Sequence, residues 1–163
     1  MTHYTDELVM AVKTAVMMLH DMPDHIAAER PSPGAWSIKE IIGHLIDSAA
    51  NNHQRFIRGR SQGNLIFNGY AQEDWVAAQD YNTAPWPELL DFWKSYNLHL
   101  ARVMKLVPES IRFAPHTEHN LDVVTVHPPA EGQPATLDHL MADYVEHLKH
   151  HLHQIDDIRE QRH

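Results

Sequence analysis

The chain has 163 residues, 43% hydrophobic and 21% charged, the balance of an ordinary globular protein. That length suffices for a single domain, 1–163, with a buried core. An excess of 22 acidic over 13 basic residues gives a formal net charge of −9. General nucleic-acid or anionic-membrane binding, which needs a basic footprint, is therefore disfavoured. Cysteine is absent, which excludes disulfides, thiolate metal ligands and a cysteine nucleophile. Any metal must rest on His, Asp and Glu, and the chain has 15 histidines dispersed along it. The start lacks the basic and apolar regions of a signal peptide, and no apolar run approaches the roughly 18 residues of a membrane span. A cytoplasmic protein is expected.

Four long helices are predicted in chain order. The first covers about 5–21, where Leu8, Val12, Ala15, Val16 and Leu19 recur at helical spacing before Met22-Pro23 ends it. The second opens at Ser37-Ile38-Lys39-Glu40, a capping box in which Ser37 and Glu40 satisfy each other's amides. Its apolar face is Ile38, Ile41, Ile42, Leu45, Ala49 and Phe56, and it runs to about Arg60. A glycine-marked loop and a short helix near Glu73–Gln79 follow. The third long helix starts around Pro85-Trp86-Pro87, since proline suits a first turn. It carries Leu89, Leu90, Phe92, Trp93, Tyr96, Leu100, Val103, Met104 and Val107, and Pro108 closes it. Between 109 and 135 the pattern turns irregular, with a short extended segment expected at Leu121–Val126. Thr136 is the expected N-cap of the fourth helix, which runs to about Arg159. The expected fold is all-α, a four-helix bundle with a long irregular connection before the last helix.

Chemistry is concentrated in that last helix. His147 and His151 are four residues apart and so stand on one face. With His147 set at zero, Leu140, Tyr144, His151, Ile155 and Ile158 fall within roughly 80° of it at 100° per residue. Both imidazoles thus share the inward stripe, while His150 and His153 turn toward solvent. Two inward histidines one turn apart can share a divalent cation, but a third ligand is needed. His44 is the candidate, at the edge of the apolar stripe of the second helix. Around it, Asp47, Glu40 and Asp143 are candidates to orient a ligand imidazole through its second N–H. Asn52 and Arg55 lie further along the same side as pocket residues, and Tyr144 is a weak catalytic candidate. His116, His119 and His127 fall in the irregular connection and could line a pocket. His139 is expected to be exposed, and His53 to lie on the far side of the second helix against another helix or a partner subunit. The tryptophans and Tyr96 are best read as packing residues.

The stretch Trp36-Ser-Ile-Lys-Glu-Ile-Ile-Gly-His44-Leu45, with Tyr144-Val-Glu-His147-Leu-Lys-His150-His151-Leu-His153-Gln-Ile155 some hundred residues later, resembles the DinB/YfiT-like superfamily. Tyr70, Asp74-Trp75 and the proline-led third helix strengthen the likeness, which spans essentially the whole chain. The resemblance implies a four-helix bundle with a divalent metal, zinc or nickel foremost, on His44, His147 and His151. It also implies a homodimer and an enzyme acting on a small molecule, either as a hydrolase using a metal-bound water or as a transferase using a low-molecular-weight thiol. Leu148, not Glu, follows His147, so the zincin metalloprotease pattern is absent. Two other readings stand beside the enzyme. One is a non-catalytic metal-binding or stress-response bundle, with Asp47 or His119 filling the fourth position. The other is a dimeric module whose histidines switch with pH.

Overall fold

The computed structural model describes residues 3–162; Met1, Thr2 and His163, the ends of the expected 1–163 domain, lie outside the described residues. Four long helices carry the fold: α1 (His3–Leu19), α3 (Ile38–Gly59), α5 (Trp86–Lys105) and α8 (Leu137–Glu160). Short helices α2 (Asp24–Ala27), α4 (Gln72–Gln79), α6 (Glu109–Arg112) and α7 (Leu121–Val124) sit in the connections. Among the described residues there is no strand, only isolated bridges pairing Leu65 with His119 and His116 with Ala135. Among the described residues no helix is long and apolar enough to cross a membrane.

Helix α3 packs on α5 and α8, and α1 packs on the same two. The long helices therefore stand in the order α1, α5, α3, α8 around the bundle, with the consecutive pair α1 and α3 on a diagonal. Consecutive long helices are thus not all neighbours, so the chain does not run simply up and down through adjacent positions. Local signals set the helix ends. Ser37 and Glu40 form the capping box at α3, and the Thr136 hydroxyl accepts the His139 amide at α8.

The core runs the length of the bundle between these helices. Trp86 and Trp93 are fully buried, and the Trp86 indole donates to the Leu19 carbonyl at 3.1 Å, closing the C-terminus of α1. Lys39 is also buried. Its ammonium donates to Asp24 at 2.8 Å and to the Ala84 carbonyl at 2.7 Å, tying α2 and the turn before α5 to the start of α3. Two expectations are corrected. Residues Leu121–Val124 form a helical turn rather than an extended segment. That segment follows Asn120, whose side chain is pinned to both backbone polar groups of Phe67, so a tertiary anchor overrides the β-branched preference. Trp75 is exposed, not core, and meets Tyr70 edge to face; Phe92, also exposed, stacks on Tyr96.

Candidate metal centre

Antiparallel neighbours α3 and α8 bring His44 against His147 and His151. His44 Nε2 lies 3.3 Å from His147 Nε2, and His151 Nε2 lies 3.2 Å from the same atom. One ring nitrogen from each residue falls within 4.8 Å of the others. Tetrahedral ligands at a zinc–imidazole distance of about 2.1 Å stand about 3.4 Å apart, so the spacing suits a single first-row cation. Hydrogen bonding fits the cluster less well. His151 Nδ1 donates to Gln154 Oε1 at 2.8 Å, which leaves its Nε2 as a bare lone pair. One proton on His147 Nε2 would then have to serve two contacts, whereas a cation serves all three nitrogens.

Burial prepares these rings as ligands. His44 is fully buried, with Trp36 tilted over it at 5.0 Å between ring centroids. Desolvation first, and the neighbouring imidazoles second, push His44 down to about 3 and His147 down to about 4. His151 is lowered too, by burial, against the opposing effect of its Gln154 bond. All three are therefore neutral at pH 7, the form that binds metal. Among the described residues no fourth His, Asp or Glu joins the cluster. Three ligands without a fourth is the pattern of an open site rather than a closed structural one.

The carboxylates expected to orient the imidazoles do other work. Glu40 accepts Arg30 through both oxygens, at 2.6 and 3.2 Å, as well as the Ser37 amide. Burial alone would raise its carboxyl, but Arg30 and Ser37 outweigh burial and hold it below its ordinary value. Asp47 accepts Tyr81 at 2.6 Å and Gln79 at 2.8 Å. Its carboxyl is raised by burial against those two bonds. Asp143 accepts the Val126 and His127 amides at 3.0 and 2.8 Å and so fixes the loop after α7. The orienting residue is instead Gln154, which sequence reasoning missed; its signal was the i, i+3 spacing from His151 on one helix face. His44 Nδ1 is buried without a hydrogen-bond partner. The Tyr144 hydroxyl donates to Asn97 at 2.5 Å inside the core, which favours packing over catalysis.

The remaining histidines stay outside the cluster. His119 bridges the Gln133 carbonyl and the Leu121 amide, His139 meets the His127 carbonyl, and His127 lies exposed beside Asp143. His116 joins the Ala135 bridge. His150 and His153 are exposed, as their helical angles predict. Beside His147 a cavity of about 330 Å³ opens between α3, α8 and the loops at 69–72 and 123–126. Asn52 and Arg55, the expected pocket residues, line it with Ser48, Tyr70 and Tyr144.

The sequence matches the DinB superfamily over residues 7–155, a span that includes all three histidines. The chain belongs to that superfamily. The DinB fold is seen again in the solved structure of YfiT from Bacillus subtilis, with a TM-score of 0.77 over 98% of this chain and 85% of that one. YfiT is described as a probable metal-dependent hydrolase with an unusual four-helix bundle topology. The two sequences are 17% identical, so the likeness is one of fold. No curated protein matches the sequence.

Proposed function

We propose that this DinB-superfamily protein is a metal-dependent enzyme that hydrolyses a small molecule held in the cavity beside His147. The observation that carries the reading is the convergence of three neutral imidazoles, one of which, His147, lines that cavity, with no fourth His, Asp or Glu joining them among the described residues. A divalent ion held by His44, His147 and His151, zinc or nickel first for an imidazole donor set, supplies Lewis acidity and acidifies water near neutral pH. The protein's own groups do the rest. Gln154 holds His151 in the tautomer that presents Nε2, and Trp36 covers His44. Asp143 fixes the cavity wall by holding the Val126 and His127 amides.

A second reading, transfer to a low-molecular-weight thiol, uses the same donor set. With no cysteine in the chain the thiol must arrive as a co-substrate, and Ser48, Asn52 and Tyr70 offer polar partners for it in the cavity. A purely structural metal staple is disfavoured. Asp47 accepts Tyr81 and Gln79 through its Oδ1, His119 is held by the backbone of its own loop, and neither joins the three-histidine cluster.

Elemental analysis of protein purified without chelator should give about one first-row ion per chain, lost in His44→Ala. A panel of esters, amides and lactones should be turned over by metal-loaded protein alone. Metal-free wild-type protein, or a His44→Ala variant that keeps its metal, overturns the proposal. Turnover that requires an added thiol replaces hydrolysis by transfer.

A further inference from the structure

Three cationic side chains are buried among the described residues, and they are not alike. Lys39 meets Asp24, and Arg112 meets Asp138 at 3.2 Å and Glu109 at 3.8 Å. Arg55 is equally buried, at 6% exposure, but among the described residues it has no carboxylate partner. Its guanidinium donates to the Asn68 carbonyl at 2.8 Å and to Asn52 Oδ1 at 3.4 Å, both neutral oxygens. Burying a charge without a counter-charge is unfavourable, and desolvation accordingly lowers the Arg55 pKa. The guanidinium is not sealed in: Arg55 lines both the cavity beside His147 and a neighbouring cleft of about 510 Å³ that also holds Arg58.

We infer that Arg55 is the anchor of an anion subsite, and that the molecule bound in this cavity carries a carboxylate. This rests on the reading of the cavity as the substrate cavity, and it adds the substrate's chemical class. A guanidinium presents a planar fork that matches a carboxylate with two parallel hydrogen bonds. Asn52 and Tyr70, both in the wall, flank it with neutral polar groups. Asp143 is the acid in the same wall, but its two oxygens are occupied by the Val126 and His127 amides and the His127 ring lies beside them. Asp47, outside that wall, accepts Tyr81 and Gln79 through its Oδ1. Neither acid neutralises Arg55.

The subsite also sets a length. Side chains on a helix lean toward its N-terminus, and the Arg55 fork accordingly lies beside Asn52, one turn back. Asn52 is eight residues beyond His44, or roughly 12 Å along the helix axis at 1.5 Å per residue. A ligand that spans from the imidazole cluster to Arg55 thus carries its carboxylate on the order of 10 Å from its reacting end, by the same rise. That suits an acylated amino acid or a similar short chain better than a compact acid.

Binding of N-benzoyl-ω-amino acids of increasing length (from benzoylglycine to 6-benzamidohexanoate), each beside its neutral primary amide, tests this by calorimetry and ligand-observed NMR. Wild-type protein should bind at least one acid about tenfold more tightly than its amide, with the longer members favoured. Arg55→Gln should abolish that preference and Arg55→Lys should retain part of it, circular dichroism confirming that both are folded. His44→Ala should keep the preference for the charged ligand, so a failed metal reading and a failed anion subsite give different results. Equal binding of acid and amide across the series, no binding of any acid, or a preference that survives Arg55→Gln overturns the inference.

Discussion

Helix α3 carries two histidine clusters, and only one is built as a site. Near its N-terminal half, His44 meets His147 and His151 with nitrogens converging, His44 buried and the other two half-buried. Further along, His53 meets His99 edge to face at 5.4 Å between ring centroids, and its Nδ1 lies 3.0 Å from the Tyr96 hydroxyl. His53 is lowered by partial burial and then by His99, but His99 itself is exposed and no third imidazole among the described residues arrives. Ring proximity is common to both. What separates them is convergence of lone pairs, removal of water and an orienting partner, Gln154, for one of the rings.

The sharpest way to break that comparison is to remove one ring from each cluster. His44→Ala should weaken metal binding by more than about 100-fold, since it deletes a direct ligand where loss of a mere orienting group already costs 10–100-fold. His53→Ala should leave metal affinity unchanged; titration calorimetry with zinc reads both. Next in size is Gly43→Ala. A Cβ there would stand 2.1 Å from the Tyr81 ring, and overpacking of that severity should cost about 3 kcal/mol in chemical denaturation. Gln154→Ala should weaken metal binding by about 10-fold or more with the fold intact, because the His151 tautomer is no longer dictated.

Acid should separate the clusters as well. The folded-state pKa values of His44 and His147, about 3 and about 4, lie below the ordinary value near 6.5. Between those limits the unfolded chain binds more protons, so metal-free protein should lose stability as pH falls from about 6.5 toward 4. Above that window these two groups contribute no pH dependence. Denaturant midpoints at pH 7, 6, 5 and 4 measure it, and His44→Ala should flatten the slope. The smallest expected effect is that of His53→Ala on stability, within about 0.5 kcal/mol as for most surface changes.

What the sequence revealed follows from the range of its signals. Helix faces, the Ser37 capping box, the Thr136 cap and the His147/His151 pair all lie within a few residues of one another. Local periodicity therefore exposes them. His44 needed a second helix to supply meaning, which the superfamily resemblance provided. Long-range polar pairings were not legible. The partners of Asp47 are 32 and 34 residues away, and those of Asp143 are 16 and 17. No spacing rule connects such residues, so Asp47 and Asp143 read as partners for imidazoles they do not touch, whereas Glu40 is held by its legible capping box with Ser37 and by Arg30. The helical turn at Leu121–Val124 escaped for the same reason, because its anchor on Phe67 lies 53 residues away.

Asp143 holds the cavity wall at 126 by a main-chain amide and at 127 by an amide with the His127 ring beside it. Almost any amino acid offers such an amide, so the clamp is indifferent to which side chains stand at 123–126. Those positions form an exchangeable lining mounted on a fixed frame, one helical turn from His147. Swapping Val123, Val124 or Thr125 for larger or more polar residues would reshape what the cavity admits while the imidazoles stay where they are.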